Sequence, residues 1–396
     1  MTSQSRSRLF RTNDFDSVYY DFFEQIWDSG DVYADPSGWR DTESNAASLL
    51  PSTNVNPSQL GRYYLDEDTT LGHLKEQILG LLGLWEKRTI RWEEVTLYNS
   101  ASTATAAVLV TLKRLGVKTI LFETPAYAVT VNQAKHGSYK VILCPTYYRD
   151  GFALSDLAFP RRAHPMALWL TQPRMSLGFN QDIALVDSLR TRLSPKDFLV
   201  IDEATEQRYP SVLHEFLSVP GPAKVLRIRG ILKPMGLNGL RLACVFHDAG
   251  LRESLEDAQN VIGASLDLYS LQVASDLAAK SDLFFNMLSV ANRQVTKLRK
   301  RAELLSLGSQ VRVSHLVNGY MGSVFVPFTG GKKKYRQNRN QLLEYCRSKR
   351  MPVILGSSML YAFDPEWEQI RFNYFSREQH VMRAIETLTA FSRGIE

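Results

Sequence analysis

Short apolar runs recur through the middle of the chain, at positions 95–99, 118–123, 140–145, 167–171, 198–202, 223–228 and 240–246. Most are near-continuously hydrophobic rather than alternating, which is the pattern of strands covered on both faces of a sheet. Between the first two lies a stretch rich in Ala, Leu and Val. It runs from Ser102 to Leu115, opens on Ser and Thr capping residues and closes at Gly116, and so predicts a helix. Strands that alternate with helices imply a parallel or mostly parallel sheet with helices on both faces.

Beyond about Leu251 the pattern turns helical, with a long amphipathic run over 266–307. A second α+β segment follows: strand-like 323–326, helix-like 338–347, strand-like 351–355 and 370–374, and a closing helix from Arg377. The first fifty or so residues mix aromatics such as Tyr19, Phe22 and Trp27 with polar turns, and read as a short helix followed by an irregular arm. A chain of 396 residues suits one large and one smaller domain. The expected division is an N-terminal arm over 1–60 that joins the small domain, a large domain over 61–290, and a C-terminal small domain over 291–396.

Composition narrows the class without choosing a function. With 44% hydrophobic, 22% charged and 11% aromatic residues, the chain can fill a sizeable core. Its formal charge of +6 decides nothing by itself. The densest basic run, Lys332 to Lys334 with Arg336 and Arg339, reads first as a solvated loop and helix start, with binding of an anionic partner as the alternative, and no nucleic-acid partner is expected. Cys144, Cys244 and Cys346 lie far apart, against a disulfide framework or a zinc site, and fit a reducing cytoplasm. The polar, basic start is unlike a secretory signal, and no apolar run reaches the roughly 18 residues a membrane span needs. A cytoplasmic protein without a membrane partner is the expectation.

Ligands of such sheets bind at the carboxyl ends of the strands, and four features fall there. Lys233 stands in a turn between two strand-like runs, with Gly236, Gly239 and Arg241 at fixed offsets. A lysine buried beside other cations loses proton affinity and becomes a nucleophile toward carbonyls, while arginine offers a planar fork suited to phosphate. A surface turn with a solvated lysine is the structural alternative. Asp202 ends the apolar run Val200-Ile201 and is costly to bury without a partner; a helix cap or turn acid is the other reading. Asn99-Ser100-Ala101-Ser102-Thr103 takes a strand into a helix, where free N–H groups make an anion site or simply a cap. Tyr127, in Glu123-Thr124-Pro125-Ala126-Tyr127, is placed to stack on a flat ring or to pack at the surface.

Together these features resemble the fold-type-I pyridoxal-phosphate (PLP) enzymes, and within them the class I and II aminotransferases. Arg229-Gly-Ile-Leu-Lys233-Pro-Met-Gly236-Leu-Asn-Gly239-Leu-Arg241 is similar to the family's R-S-x-S-K-x-x-G-x-x-G-x-R pattern. The resemblance spans about residues 62 to 371. It implies an α/β fold: a large PLP-binding domain with a mixed, mostly parallel seven-stranded sheet, plus a small α+β domain from the two chain ends. It implies Lys233 as the Schiff-base lysine and acid/base, Asp202 as the partner of the ring nitrogen, and Tyr127 as the stacking aromatic. Ser100, Ala101, Ser102 and Arg241 would hold the phosphate. Arg371, in Ile370-Arg371-Phe372, would grip the substrate α-carboxylate. Tyr63 or Tyr64, the latter favoured, is similar to the tyrosine that reaches the neighbouring subunit's phosphate in a homodimer.

The pattern is broken in one neighbourhood. The family's N-P-T-G stands here as Met175-Ser-Leu-Gly178, and the tyrosine of D-E-A-Y is Thr205, so both usual partners of the cofactor's ring oxygen are changed. The serines before the lysine are Gly230 and Leu232. The expected function is therefore a PLP-dependent enzyme acting on an amino acid, first an aminotransferase. A cyclase, lyase or oxidase of natural-product metabolism is the alternative, and a non-catalytic ligand-binding relative a further one.

Overall fold

The computed structural model describes residues 32–38, 42–53, 72–152, 159, 164–210, 213, 221–263, 266–315 and 317–394. Helix α1 (Gly72–Glu86) precedes a seven-stranded sheet formed by β1 (Val95–Tyr98), β2 (Thr119–Glu123), β3 (Lys140–Cys144), β4 (Met166–Thr171), β5 (Phe198–Glu203), β6 (Lys224–Gly230) and β7 (Ala243–Phe246). The strands lie in the order β1-β7-β6-β5-β4-β2-β3. β7 runs antiparallel to both its neighbours, and the other pairings are parallel. The mostly parallel sheet expected from the apolar runs is observed, with β7 as its antiparallel member.

Period-two alternation sorts these strands between two cores. Ile120, Phe122, Trp169 and Val200 join one cluster with Ala104, Ala107 and Val108 of α2 (Ala101–Arg114). Leu121, Leu168, Leu170, Leu199 and Ile201 face the other way, against Val186 and Leu189 of α4 (Ile183–Thr191), the helix that follows α3 (Ala128–His136). Each fully buried Leu, Ile, Val or Phe contributes about 1.5–3 kcal/mol relative to exposure. Burial on both faces is why these strands read as continuous apolar runs.

Helices α5 (Arg252–Ile262), α6 (Leu268–Ala278) and α7 (Ser281–Ser306) lead to a four-stranded antiparallel sheet, order β10-β11-β9-β8. Its strands are β8 (Arg312–Val313), β9 (Met321–Pro327), β10 (Ile354–Leu355) and β11 (Trp367–Asn373). Helices α8 (Gly331–Ser348) and α9 (Glu378–Arg393) complete this segment. The N-terminal stretch lies along β11, where Asn373 N donates to Pro36 O at 2.7 Å and Ile354 N donates to Ser37 Oγ at 3.2 Å.

Three details differ from the sequence pattern. The run over 266–307 is two helices, because the backbone turns out of the helical region at Lys280 while the apolar periodicity continues across the break. The strand expected over 351–355 is only Ile354–Leu355, since just that pair finds partners on β11. The basic run lies in the first turns of α8, with Lys332, Lys333 and Lys334 exposed.

Candidate active site

The carboxyl ends of the parallel strands meet β7's amino end at one edge of the large sheet. Asp202 is the next-to-last residue of β5 and pairs with Thr171 and Ile228 across the register. Its Oδ1 accepts from Ala204 N at 3.0 Å. Lys233 begins a single 3-10 turn just past β6 and is partly buried. That turn closes on Gly236 at φ +77, a left-handed position suited to glycine, and a Cβ there would lie 2.9 Å from Ser44 Cβ. Gln207 Nε2 donates to Pro234 O at 2.7 Å, and Ser44 Oγ donates to Met235 O, so the lysine turn is tied down on two sides. Gly230 permits a close approach: a Cβ would sit 2.6 Å from Ala204 O. Gly239 meets no such constraint.

Beside Lys233 lies a cavity of about 310 Å³, lined by Ser100, Ala101, Ser102, Tyr127, Gly230, Lys233, Asn238, Leu240, Arg241 and Leu242. Ser100 caps α2 by accepting from Thr103 N at 3.1 Å. Capping and anion binding are thus compatible: the cap bond goes to Thr103, while Ala101 and Ser102 present the positive end of the helix to the cavity. Arg241 is anchored through its backbone N–H, which donates to Ser270 Oγ at 3.0 Å. The Asn238 amide nitrogen is buried without a hydrogen-bond partner among the described residues, a donor available to a bound anion. Tyr127 stands at the start of α3 on the cavity wall.

The charges act on one another. Burial lowers the Lys233 pKa, Asp202 opposes that shift, and the nearby Arg371 and Arg241 reinforce it. Burial raises the Asp202 carboxyl, against the Ala204 N–H and Lys233. The result is an amine with an enlarged neutral fraction beside its carboxylate partner. Arg371, on β11, is buried; its Nη2 donates to Ser37 O at 2.8 Å, and its Nε has no hydrogen-bond partner among the described residues. Asp202 and Arg371 adjoin Lys233 without lining the cavity itself. Thr205 is half-buried beside them, its carbonyl facing Gly319. Tyr63 and Tyr64 lie outside the described residues. A larger hollow of about 840 Å³, lined in part by Tyr33, Lys349, Arg350 and Arg383, gathers none of these groups.

No protein-family model and no curated protein matches the sequence. Solved structures do match. A double mutant of the Thermus thermophilus aspartate aminotransferase superposes with a TM-score of 0.73 at 14% identity, over 99% of this chain and 100% of that one. Escherichia coli YbdL, identified with a methionine aminotransferase function, gives 0.71 at 13% identity, over 96% and 98%. Substrate-bound BacF of Bacillus subtilis gives 0.72 at 16% identity, over 99% and 98%. The fold is that of the fold-type-I aminotransferases.

In this fold-type-I frame, several residues near the site carried no motif signal. Asn238 is one. Another is a polar seam in which Asn318 Nδ2 donates to Glu206 Oε1 at 2.5 Å and to Asn180 Oδ1 at 2.9 Å, while Gln172 Nε2 donates to Glu206 Oε2 at 3.0 Å. Behind Asp202, on the opposite face of the sheet, Glu203 and Glu86 hold Arg227 and Arg229 in a buried cluster. The i, i+2 spacing of those arginines was a visible clue: two cations on one face of an apolar strand demand buried acids. Among the described residues no group of His, Cys, Asp and Glu could hold a metal ion, and no helix is long and apolar enough to cross a membrane.

Proposed function

We propose that this chain is a PLP-dependent enzyme that acts on the amino group of an amino acid, in the first place an aminotransferase. The observation that carries the reading is the convergence of Lys233, Asp202, Arg371 and Arg241 at one sheet edge, beside a cavity opened by a helix amino terminus. The residues present fit the cofactor: the start of α2, Arg241 and the unpartnered Asn238 amide for its phosphate, Tyr127 for its ring face, Asp202 for its ring nitrogen and Lys233 for its aldehyde. When bound, PLP supplies an aldehyde that condenses with amines and a ring that accepts the electron pair released at Cα.

The chain's own residues do the rest. Lys233, with its proton affinity lowered, would hold the cofactor at its aldehyde, and its amine would be placed to move the proton at the substrate's Cα. Asp202 would face the ring nitrogen and favour its protonated form. Arg371 has a donor to spare at Nε and orients the α-carboxylate by a charge-assisted contact. We assign the small domain to 1–60 and 291–396 around a large domain at 61–290, with a second subunit completing the site.

The direct test mixes PLP-loaded protein with the common amino acids. Aminotransfer converts the cofactor to its amine form and releases a 2-oxo acid in equal amount. Product formed without consumption of an amino acceptor would instead select elimination, cyclisation or oxidation, the reading favoured by Met175 and Thr205 where the resembled pattern has asparagine and tyrosine. Arg371→Ala is expected to raise KM for the amino acid by about 10²-fold, the cost of removing one partner of a buried charge pair. The visible absorbance of the PLP-loaded variant should stay. Loss of that absorbance would place Arg371 on the cofactor instead.

A further inference from the structure

Cofactor geometry, taken with the PLP reading above on which this step rests, singles out one more residue. Around the pyridine ring of PLP the nitrogen and the aldehyde carbon lie opposite each other. The phosphate arm leaves one flank of that axis and the ring hydroxyl the other. With Asp202 at the nitrogen, Lys233 at the aldehyde, and Ser100 to Ser102 with Arg241 on the phosphate flank, the hydroxyl faces the opposite wall.

We place there Thr205, three residues beyond Asp202, with loop 173–178 and the segment that enters β9, which packs on both. A Cβ on Gly319, which has φ +72, would lie 2.8 Å from Pro173 Cγ and 3.1 Å from Thr205 O. Val317 N and Asn318 N both donate to Gly178 O, at 2.9 and 3.1 Å, and Gln207 N donates to Asn318 Oδ1 at 3.2 Å. The segment is therefore clamped against the two stretches that bear Met175 and Thr205. The next residue is Tyr320. It is fully buried, its ring packs on Phe375 with centroids 4.9 Å apart, and its carbonyl accepts from Tyr374 N at 2.9 Å.

We propose that Tyr320 is the hydrogen-bond donor to the cofactor's ring oxygen, and so sets the proton affinity of the Lys233–cofactor linkage. Met175 carries no donor, and Thr205 is shorter than a tyrosine by a whole ring. The charged and titratable groups around the Tyr320 hydroxyl come from separate elements: Arg371 of β11, Asp202 of β5 and Tyr127 at the start of α3, which are three of the groups nominated for the site. Burial raises the phenol's pKa well above its ordinary value, so it keeps its proton at neutral pH.

A donor to this oxygen stabilises its negative charge, most strongly once the neighbouring linkage nitrogen has lost its proton. Removing the donor therefore makes the linkage harder to deprotonate. In PLP-loaded Tyr320→Phe, the pH midpoint of the cofactor's visible absorbance should move upward by about one unit or more, roughly tenfold in proton affinity. The retained ring should keep Tm close to that of the parent. Restoring a donor from the same wall, as Tyr320→Phe with Met175→Asn, should bring the midpoint back down.

A midpoint unmoved in Tyr320→Phe with an unchanged Tm overturns the proposal and leaves the PLP reading intact. A parent protein with neither visible absorbance nor borohydride-trapped PLP overturns the underlying reading itself. Where Tyr320→Phe is insoluble, 3-fluorotyrosine at position 320 offers a stronger donor of nearly the same shape. It should lower the midpoint, and the absence of a shift counts against Tyr320.

Discussion

Lys233→Ala should leave the protein colourless in the presence of PLP, with no adduct on borohydride treatment and amino-acid turnover reduced by at least about 10²–10⁴, the usual contribution of a positioned general acid/base. Lys233→Arg should fail equally, because a guanidinium keeps the charge but has no neutral amine to offer at accessible pH. That pair of variants separates nucleophile from cation. If Lys233 served only to balance Asp202, the arginine variant would retain cofactor and colour. The parent should trap PLP at lower pH than an exposed lysine does, because burial, Arg371 and Arg241 all favour the uncharged amine. Mass spectrometry of the reduced, digested protein reads the modified residue directly.

The large sheet was legible because its strands are covered on both faces. An uninterrupted apolar run admits few other readings when short helical stretches separate one run from the next. β6 was the hardest of the seven, since Arg227 and Arg229 interrupt its apolar pattern; its end at Gly230 follows from the Glu203–Arg229 register. The second sheet was less legible. β8 and β10 are two residues each and gain their identity only from β9 and β11. At the site, Lys233, Arg241, Tyr127 and Ser100 to Ser102 sit close to strand ends and could be found from local sequence, and the fold gathers them around one cavity. Tyr320 and Asn238 could not. Tyr320 meets its neighbours only after a segment more than a hundred residues downstream of Asp202 folds back across Thr205 and Pro173, a tertiary event that leaves no local pattern.

The largest stability effect is expected behind the site, at the buried cluster of Glu86, Glu203, Arg227 and Arg229. Arg227 Nη1 lies 2.6 Å from Glu86 and its Nη2 2.7 Å from Glu203, while Arg229 reaches Glu86 at 3.0 Å and Glu203 at 3.2 Å and stacks over Trp85. Two acids and two bases balance with almost no solvent access, so losing one acid leaves an uncompensated guanidinium in the core. Glu86→Ala should therefore cost about 3–5 kcal/mol in urea unfolding, far more than an exposed pair such as Arg347–Glu344, where about 0–1 kcal/mol is expected. The same acid sets a pH dependence. Burial alone would raise the Glu86 carboxyl, but Arg227 and Arg229 override it and hold the pKa at about 2 against an ordinary 4.5. Between those values the unfolded chain binds the proton that the folded chain refuses. The stabilisation is therefore complete above about pH 4.5 and is lost as pH falls toward 2. Glu86→Gln should flatten that acid limb while lowering stability at neutral pH. An acid limb of unchanged steepness would mean that other carboxylates carry it. Because Glu203 adjoins Asp202 and Arg229 adjoins Gly230, loosening this cluster should also weaken PLP retention during dialysis, although none of its four members lines the cavity.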